Sequence, residues 1–85
     1  MVEPVFVKFI PEEMEEGKIY ISKEFKTAVH LCLCGCKNHT VTPLIKSGWT
    51  LTEKENKITL TPSIGNYNFP CKSHYIITSN KANFV

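Results

Sequence analysis

Apolar residues along the chain recur with a period of two, in short runs separated by polar or turn-forming clusters. That is the pattern of half-buried strands. VFVKFI (residues 5–10) is a β-rich run stopped by Pro11, and EEMEEG, ending at Gly17, follows as an acidic turn or a single helical turn. KIYIS (18–22) alternates, and so does TAVHLCLC (27–34), where Val29, Leu31 and Leu33 face one way and His30, Cys32 and Cys34 the other. HTVTPLI (39–45) contains Pro43 and is an edge strand at best. Residues 49–53 and 57–61 flank the polar turn KEN and predict a hairpin. SIGNYNFPCKSH (63–74) predicts a loop, and YIITS with ANFV a last hairpin across Asn80 and Lys81. No segment sustains a helical period. The expected fold is all-β, with at most one short helix: a small domain of short antiparallel strands and hairpins.

Length then matters. With 85 residues and no linker, repeat or low-complexity tract, the chain predicts one domain over 1–85. Such a domain has a thin core and often needs a staple. A composition of 42% apolar and 21% charged residues excludes a disordered tail, and a net charge of +2 makes no case for nucleic acid or a membrane surface. The basic residues are scattered and do not align with the aromatics. The start has an acid at Glu3 and only a short apolar run, unlike the basic start and ~7–15 apolar residues of a signal peptide. Nothing approaches the ~18 apolar residues of a membrane span. The expected compartment is the cytoplasm, where thiols stay reduced.

Three of the four cysteines fall in HLCLCGC (30–36), and the fourth is Cys71. In a reducing compartment such clustering points to metal or catalysis before disulfides. Cys-x-Cys is also poor disulfide geometry, since extended i and i+2 side chains stand roughly 6.5–7 Å apart. Alternation puts Cys32 and Cys34 on one face, a bend at Gly35 brings Cys36 round, and Cys71 closes a four-thiolate shell for one structural zinc ion. The bond would tie the middle of the chain to its last third. Cys71-x-x-His74 is also a workable ligand spacing, so a shell of three cysteines and His74 stays open beside the four-cysteine one. The plain alternative is reduced cysteines that only pack.

The same region holds Ser63, Ser73 and His74. A serine nucleophile needs a base within reach and a third group to orient that base. Ser73 and His74 are neighbours, and on a strand neighbours point to opposite faces. Pairings across the fold suit better: Ser73 with His30, or Ser63 with His74. Asn66 could orient a histidine or donate to an oxyanion, as could main-chain N–H groups near Gly35 or Gly65. The bland reading is a serine that bonds a sulfur or caps a turn. His39 reads as a loop residue without a role, and Trp49 and Tyr75 as core or rim aromatics.

Taken together, AVHLCLCGC, VTPL, GW and ITLTPSIGNYNFPCKSHYII resemble a small bacterial and phage family without a formally assigned function. Its pattern is His-x-Cys-x-Cys-Gly-Cys, then Pro-Ser, then Cys-x-Ser-His-aromatic. The likeness spans roughly residues 18 to 85. Two departures are Lys37, where the family often has glycine, and the ending KANFV, where many relatives carry a tryptophan. The family is associated with anti-phage defence operons that encode a ubiquitin-like modifier and its conjugating enzymes. The resemblance implies a small peptidase that trims the modifier's tail or removes the modifier from targets. It carries over His30, Cys32, Cys34, Cys36, Cys71, Ser63, Ser73 and His74.

The expectation is therefore a zinc-stapled serine-type peptidase. Zinc sits on Cys32, Cys34, Cys36 and Cys71, Ser73 is the preferred nucleophile with Ser63 as the second choice, and His30 or His74 is the base. A ubiquitin-like protein or its tail is the substrate, which might add as a strand along an exposed sheet edge. A zinc metallopeptidase ranks lower, because no His-Glu-x-x-His helix is present and a thiolate-rich shell weakens zinc as a Lewis acid. The alternative from another class is a non-catalytic zinc-binding adaptor, with the serines and histidines supporting the ligands.

Overall fold

The computed structural model describes residues 2–66 and 71–85. Eight strands and no helix are found among them: β1 (Glu3–Phe6), β2 (Lys18–Ser22), β3 (Thr27–Leu31), β4 (His39–Pro43), β5 (Thr50–Lys54), β6 (Lys57–Gly65), β7 (His74–Thr78) and β8 (Lys81–Phe84). They form two four-stranded sheets, each in sequence order, β1-β2-β3-β4 and β5-β6-β7-β8. The all-β expectation holds, and β4 is an edge strand. Residues 67–70 of the expected loop lie outside the described residues.

The core is built by alternation. Ile19, Ile21, Ala28 and Cys32 from the first sheet meet Ile58, Leu60, Ile64, Tyr75 and Ile77 from the second in one buried cluster. His30 and Cys32, on the polar-looking side of β3, are therefore on its core side, at 0% and 2% exposure. Val29 and Leu31 are also buried on the other face.

Four details differ from the sequence reading. β1 ends at Phe6 and runs parallel to β2, because residues 7–17 are long enough to carry the chain back across the sheet end. β3 ends at Leu31, and residues 33–36 form a turn in which Gly35 has φ 99°. The first hairpin turn is shorter than the expected KEN by Lys54, and the second sits one residue before the expected Asn80–Lys81. They are Glu55–Asn56 and Ser79–Asn80, all four with positive φ, the type I′ geometry that Asn tolerates and that matches strand twist. Finally, β6 continues past Thr61 and Pro62 to Gly65.

Candidate serine–histidine pair and metal centre

The extension of β6 builds the first part of the site. Leu60 pairs with Ile77 and Ile64 with Tyr75, so residues 61–63 lie opposite Ile76 alone. This bulge absorbs Pro62, which cannot donate to a ladder, and re-aims the residues that follow. Ile64 returns to the core at 1% exposure, leaving Ser63 and Gly65 on the outer face with His74. Ser63 Oγ and His74 Nε2 are 2.7 Å apart, and both residues are half-buried. With the imidazole proton on Nδ1, Nε2 accepts the Ser63 O–H, the polarity a general base requires.

The second part is the sulfur cluster. The turn after β3 carries Cys34 and Cys36, Cys32 precedes it, and Cys71 leads into β7. All four Sγ atoms lie within 4.8 Å of one another. Recorded pairs stand at 3.4 Å (Cys32–Cys34), 3.6 Å (Cys36–Cys71) and 3.7 Å (Cys32–Cys71). A regular tetrahedron with metal–sulfur bonds near 2.3 Å has edges of about 3.8 Å, so the four cysteines can hold one metal ion. Lys37 adopts φ 63° at the end of this turn. That left-handed conformation is one glycine adopts without strain.

The thiols share protons unevenly. Hydrogen bonds from the Ser73 side chain and then its main-chain N–H hold Cys71 down to about 6. The Asn38 main-chain N–H lowers Cys36. At Cys34 the Cys36 N–H pulls down, but sulfur contacts with Cys32 and Cys36, with burial, carry the thiol up to about 12. Sulfurs this close cannot all ionise unless a cation joins them. A divalent, sulfur-seeking ion fits that need.

A buried polar node links the two sheets behind the sulfurs. His30 Nε2 and the Tyr75 hydroxyl are 2.7 Å apart, and burial pushes the imidazole down to about 4, so it is neutral at neutral pH. Asn66 Nδ2 donates to Ser73 Oγ at 3.1 Å and to the Tyr75 oxygen at 3.3 Å, with Cys32 Sγ at 3.5 Å. Its Oδ1 accepts from Thr40 Oγ1 at 3.2 Å. Ser73 Oγ in turn lies 3.1 Å from Cys32 Sγ and 3.5 Å from Cys71 Sγ.

The structure thus brings Ser63 to His74, places Ser73 among the sulfurs, and sets His30 against Tyr75. The sulfur cluster contains neither His30 nor His74. Asn66 joins the node behind the metal centre. Sequence reasoning missed the Tyr75 hydroxyl, Thr40, and Asn38, whose Nδ2 donates to Cys36 Sγ at 3.2 Å. The alternation of β7 placed Tyr75 in the core, but nothing in the sequence marked which polar atom its hydroxyl would meet.

A hydroxyl seated on an imidazole nitrogen is the nucleophile–base contact that serine-type hydrolysis requires. Residues 6–85 match the family described as bacterial ubiquitination-like system serine protease (BubE), and the chain belongs to that family. Neither curated proteins nor solved structures gave a match. No helix among the described residues is long and apolar enough to cross a membrane.

Proposed function

We propose that the protein is a serine-type peptidase that processes or removes a bacterial ubiquitin-like protein, with Ser63 as nucleophile and His74 as general base. The observation that carries this reading is the 2.7 Å contact between Ser63 Oγ and His74 Nε2, in a chain of a serine protease family. Ser63 Oγ attacks the scissile carbonyl carbon while its proton passes to His74 Nε2. The same proton goes on to the leaving amine as the carbon–nitrogen bond breaks, giving an acyl-enzyme ester at Ser63. Water, deprotonated by His74, then releases the carboxylate and restores the hydroxyl.

Ser73 has a different part. Its Oγ is engaged with Cys32, Cys71 and Asn66, and His30, its expected base, is occupied with Tyr75. Ser73 orients sulfurs. Cys32, Cys34, Cys36 and Cys71 would hold zinc, the ion such a thiolate set favours. It would supply a cross-link between the turn after β3 and the entry to β7. The cytoplasm suits a site of reduced thiols.

The test is cleavage of a ubiquitin-like precursor that carries residues beyond its mature C-terminus. Ser63→Ala, shown folded and metal-loaded, is expected to lose on the order of 10³-fold or more in kcat/KM, whereas Ser73→Ala keeps most activity at saturating zinc. Full cleavage by Ser63→Ala would remove Ser63 from the mechanism. No cleavage by the parent protein of any such precursor would favour the non-catalytic adaptor.

A further inference from the structure

Among the described residues, the second half of β6 has no strand on one side. β5 begins at Thr50, opposite Thr61, so residues 62–66 overhang it. Hydrogen-bond alternation shows which groups point into the gap. Asn66 N–H donates to Ser73 C=O at 2.8 Å, which makes residues 66 and 73 a hydrogen-bonded pair. The adjacent Gly65–His74 pair is then of the non-hydrogen-bonded kind. Consistently, the His74 carbonyl accepts from Val85 N–H, on the β8 side, at 2.9 Å. Gly65 therefore turns its N–H and C=O away from β7, to the side that β5 has left.

The edge of β4 behaves likewise. Cys32 N–H donates to Asn38 C=O and Leu44 N–H to Lys26 C=O, each at 2.7 Å. In the register of β3 and β4, these bonds make His39, Val41 and Pro43 the residues whose main-chain groups point away from β3. Trp49 N–H takes the Pro43 carbonyl at 2.9 Å, and Val41 is 55% exposed. The two edges border one cleft, lined by His39, Val41, Trp49, Gly65 and Asn66 among others, with a volume near 160 Å³. That is well below the roughly 300–1,000 Å³ of a small-molecule pocket. It is a strip with main-chain hydrogen-bonding groups along both sides.

We infer that this cleft takes an extended main-chain segment of the protein substrate, which pairs with Gly65 as the neighbour β6 lacks and runs along the Val41 edge of β4. The inference rests on the peptidase reading and says where its substrate lies. Four observations favour a peptide strand over other occupants. Gly65 on one wall, and His39 and Val41 on the other, turn main-chain donors and acceptors outward, which is how strand addition is recognised. Gly65 has no side chain, so the outer face beside its register partner His74 stays open. Ser63 is two residues from Gly65 on the same strand, about 7 Å along it, so a segment paired at Gly65 passes the nucleophile. The cleft is too small for a folded surface to enter.

Two measurements decide it. Nitrogen-15-labelled, zinc-loaded Ser63→Ala protein is titrated with a synthetic peptide copied from the C-terminal tail of the cognate ubiquitin-like protein. The largest amide shifts and slowed hydrogen exchange are expected at Gly65 and Val41. Largest shifts on the β1, β5 or β8 edge, or none at all, would overturn the cleft. The parent protein is then given tail substrates, each with one N-methylated amide. Methylation at alternating positions should raise KM by about tenfold or more, the loss of one well-made hydrogen bond, and equal tolerance at every position would contradict strand pairing. Cleavage without a Gly65 shift would sink the cleft alone. Absence of cleavage by the parent would sink the peptidase reading, and the titration still decides whether the cleft binds the tail.

Discussion

Ser63 and Ser73 are the same residue type in one short region, and their surroundings differ. Ser63 meets an imidazole nitrogen at 2.7 Å, and Ser73 meets two sulfurs and an amide. Ser73→Ala removes a hydroxyl that orients Cys32 and Cys71. The expected outcome is zinc affinity weaker by roughly 10–100-fold, the usual cost of losing a group that positions ligands, read by competition with a chromophoric chelator. Unchanged affinity would mean that the sulfurs hold their places without it. The sequence allowed both pairings, Ser63 with His74 and Ser73 with His30. It could not choose, because the choice depends on a bulge that shifts register by an amount no periodicity encodes. The gathering of the four sulfurs was more legible: Cys-x-Cys-Gly-Cys and one distant cysteine can meet in few ways.

Among the elements, β6 and β7 position the chemistry. SIGN read as loop because it follows Pro62, contains Gly65 and has Ile64 as its one apolar residue. The bulge accommodates Pro62, and Ile64 still finds the core. β7 was legible as a hairpin strand from Tyr75, and the structure adds His74, which shares the face of Ile76 while Tyr75 and Ile77 are buried. Tyr75 is fully buried, and burial raises its hydroxyl to about 12. The unfolded chain ionises this phenol near its ordinary value of 10, so between pH 10 and 12 the folded state holds a proton the unfolded state has lost. Stability from this group is complete below pH 10 and falls as pH rises towards 12. Denaturant midpoints measured across that window should fall more steeply for the parent protein than for Tyr75→Phe. Parallel slopes would show that Tyr75 is not sealed from water.

At the scale of the whole molecule, the four cysteines bring together two sheets that share one thin core. Cys32, Cys34 and Cys36 follow β3 of the first sheet, and Cys71 precedes β7 of the second. A shared ion would tie the middle of the chain to its last third, and metal binding of this kind is folding free energy. Native mass spectrometry is expected to find one zinc per chain. A strong chelator should lower the unfolding temperature sharply or abolish the cooperative transition, because an 85-residue core has little stability to spare. An unchanged transition after full metal removal would make the four thiols mere packing. The all-β class and the long-range tie were readable from alternation and cysteine spacing. The parallel β1–β2 pairing was not, since short runs joined by short turns predict antiparallel neighbours throughout.

The central claim is that Ser63, activated by His74, is the nucleophile. Its most direct test is reaction of the folded, zinc-loaded protein with a fluorophosphonate, which phosphonylates an activated serine and expels fluoride, followed by peptide mapping of the adduct. The account predicts one adduct, on Ser63, lost in Ser63→Ala and His74→Ala and kept in Ser73→Ala. An adduct on Ser73, or full cleavage activity in protein that never labels, would contradict it.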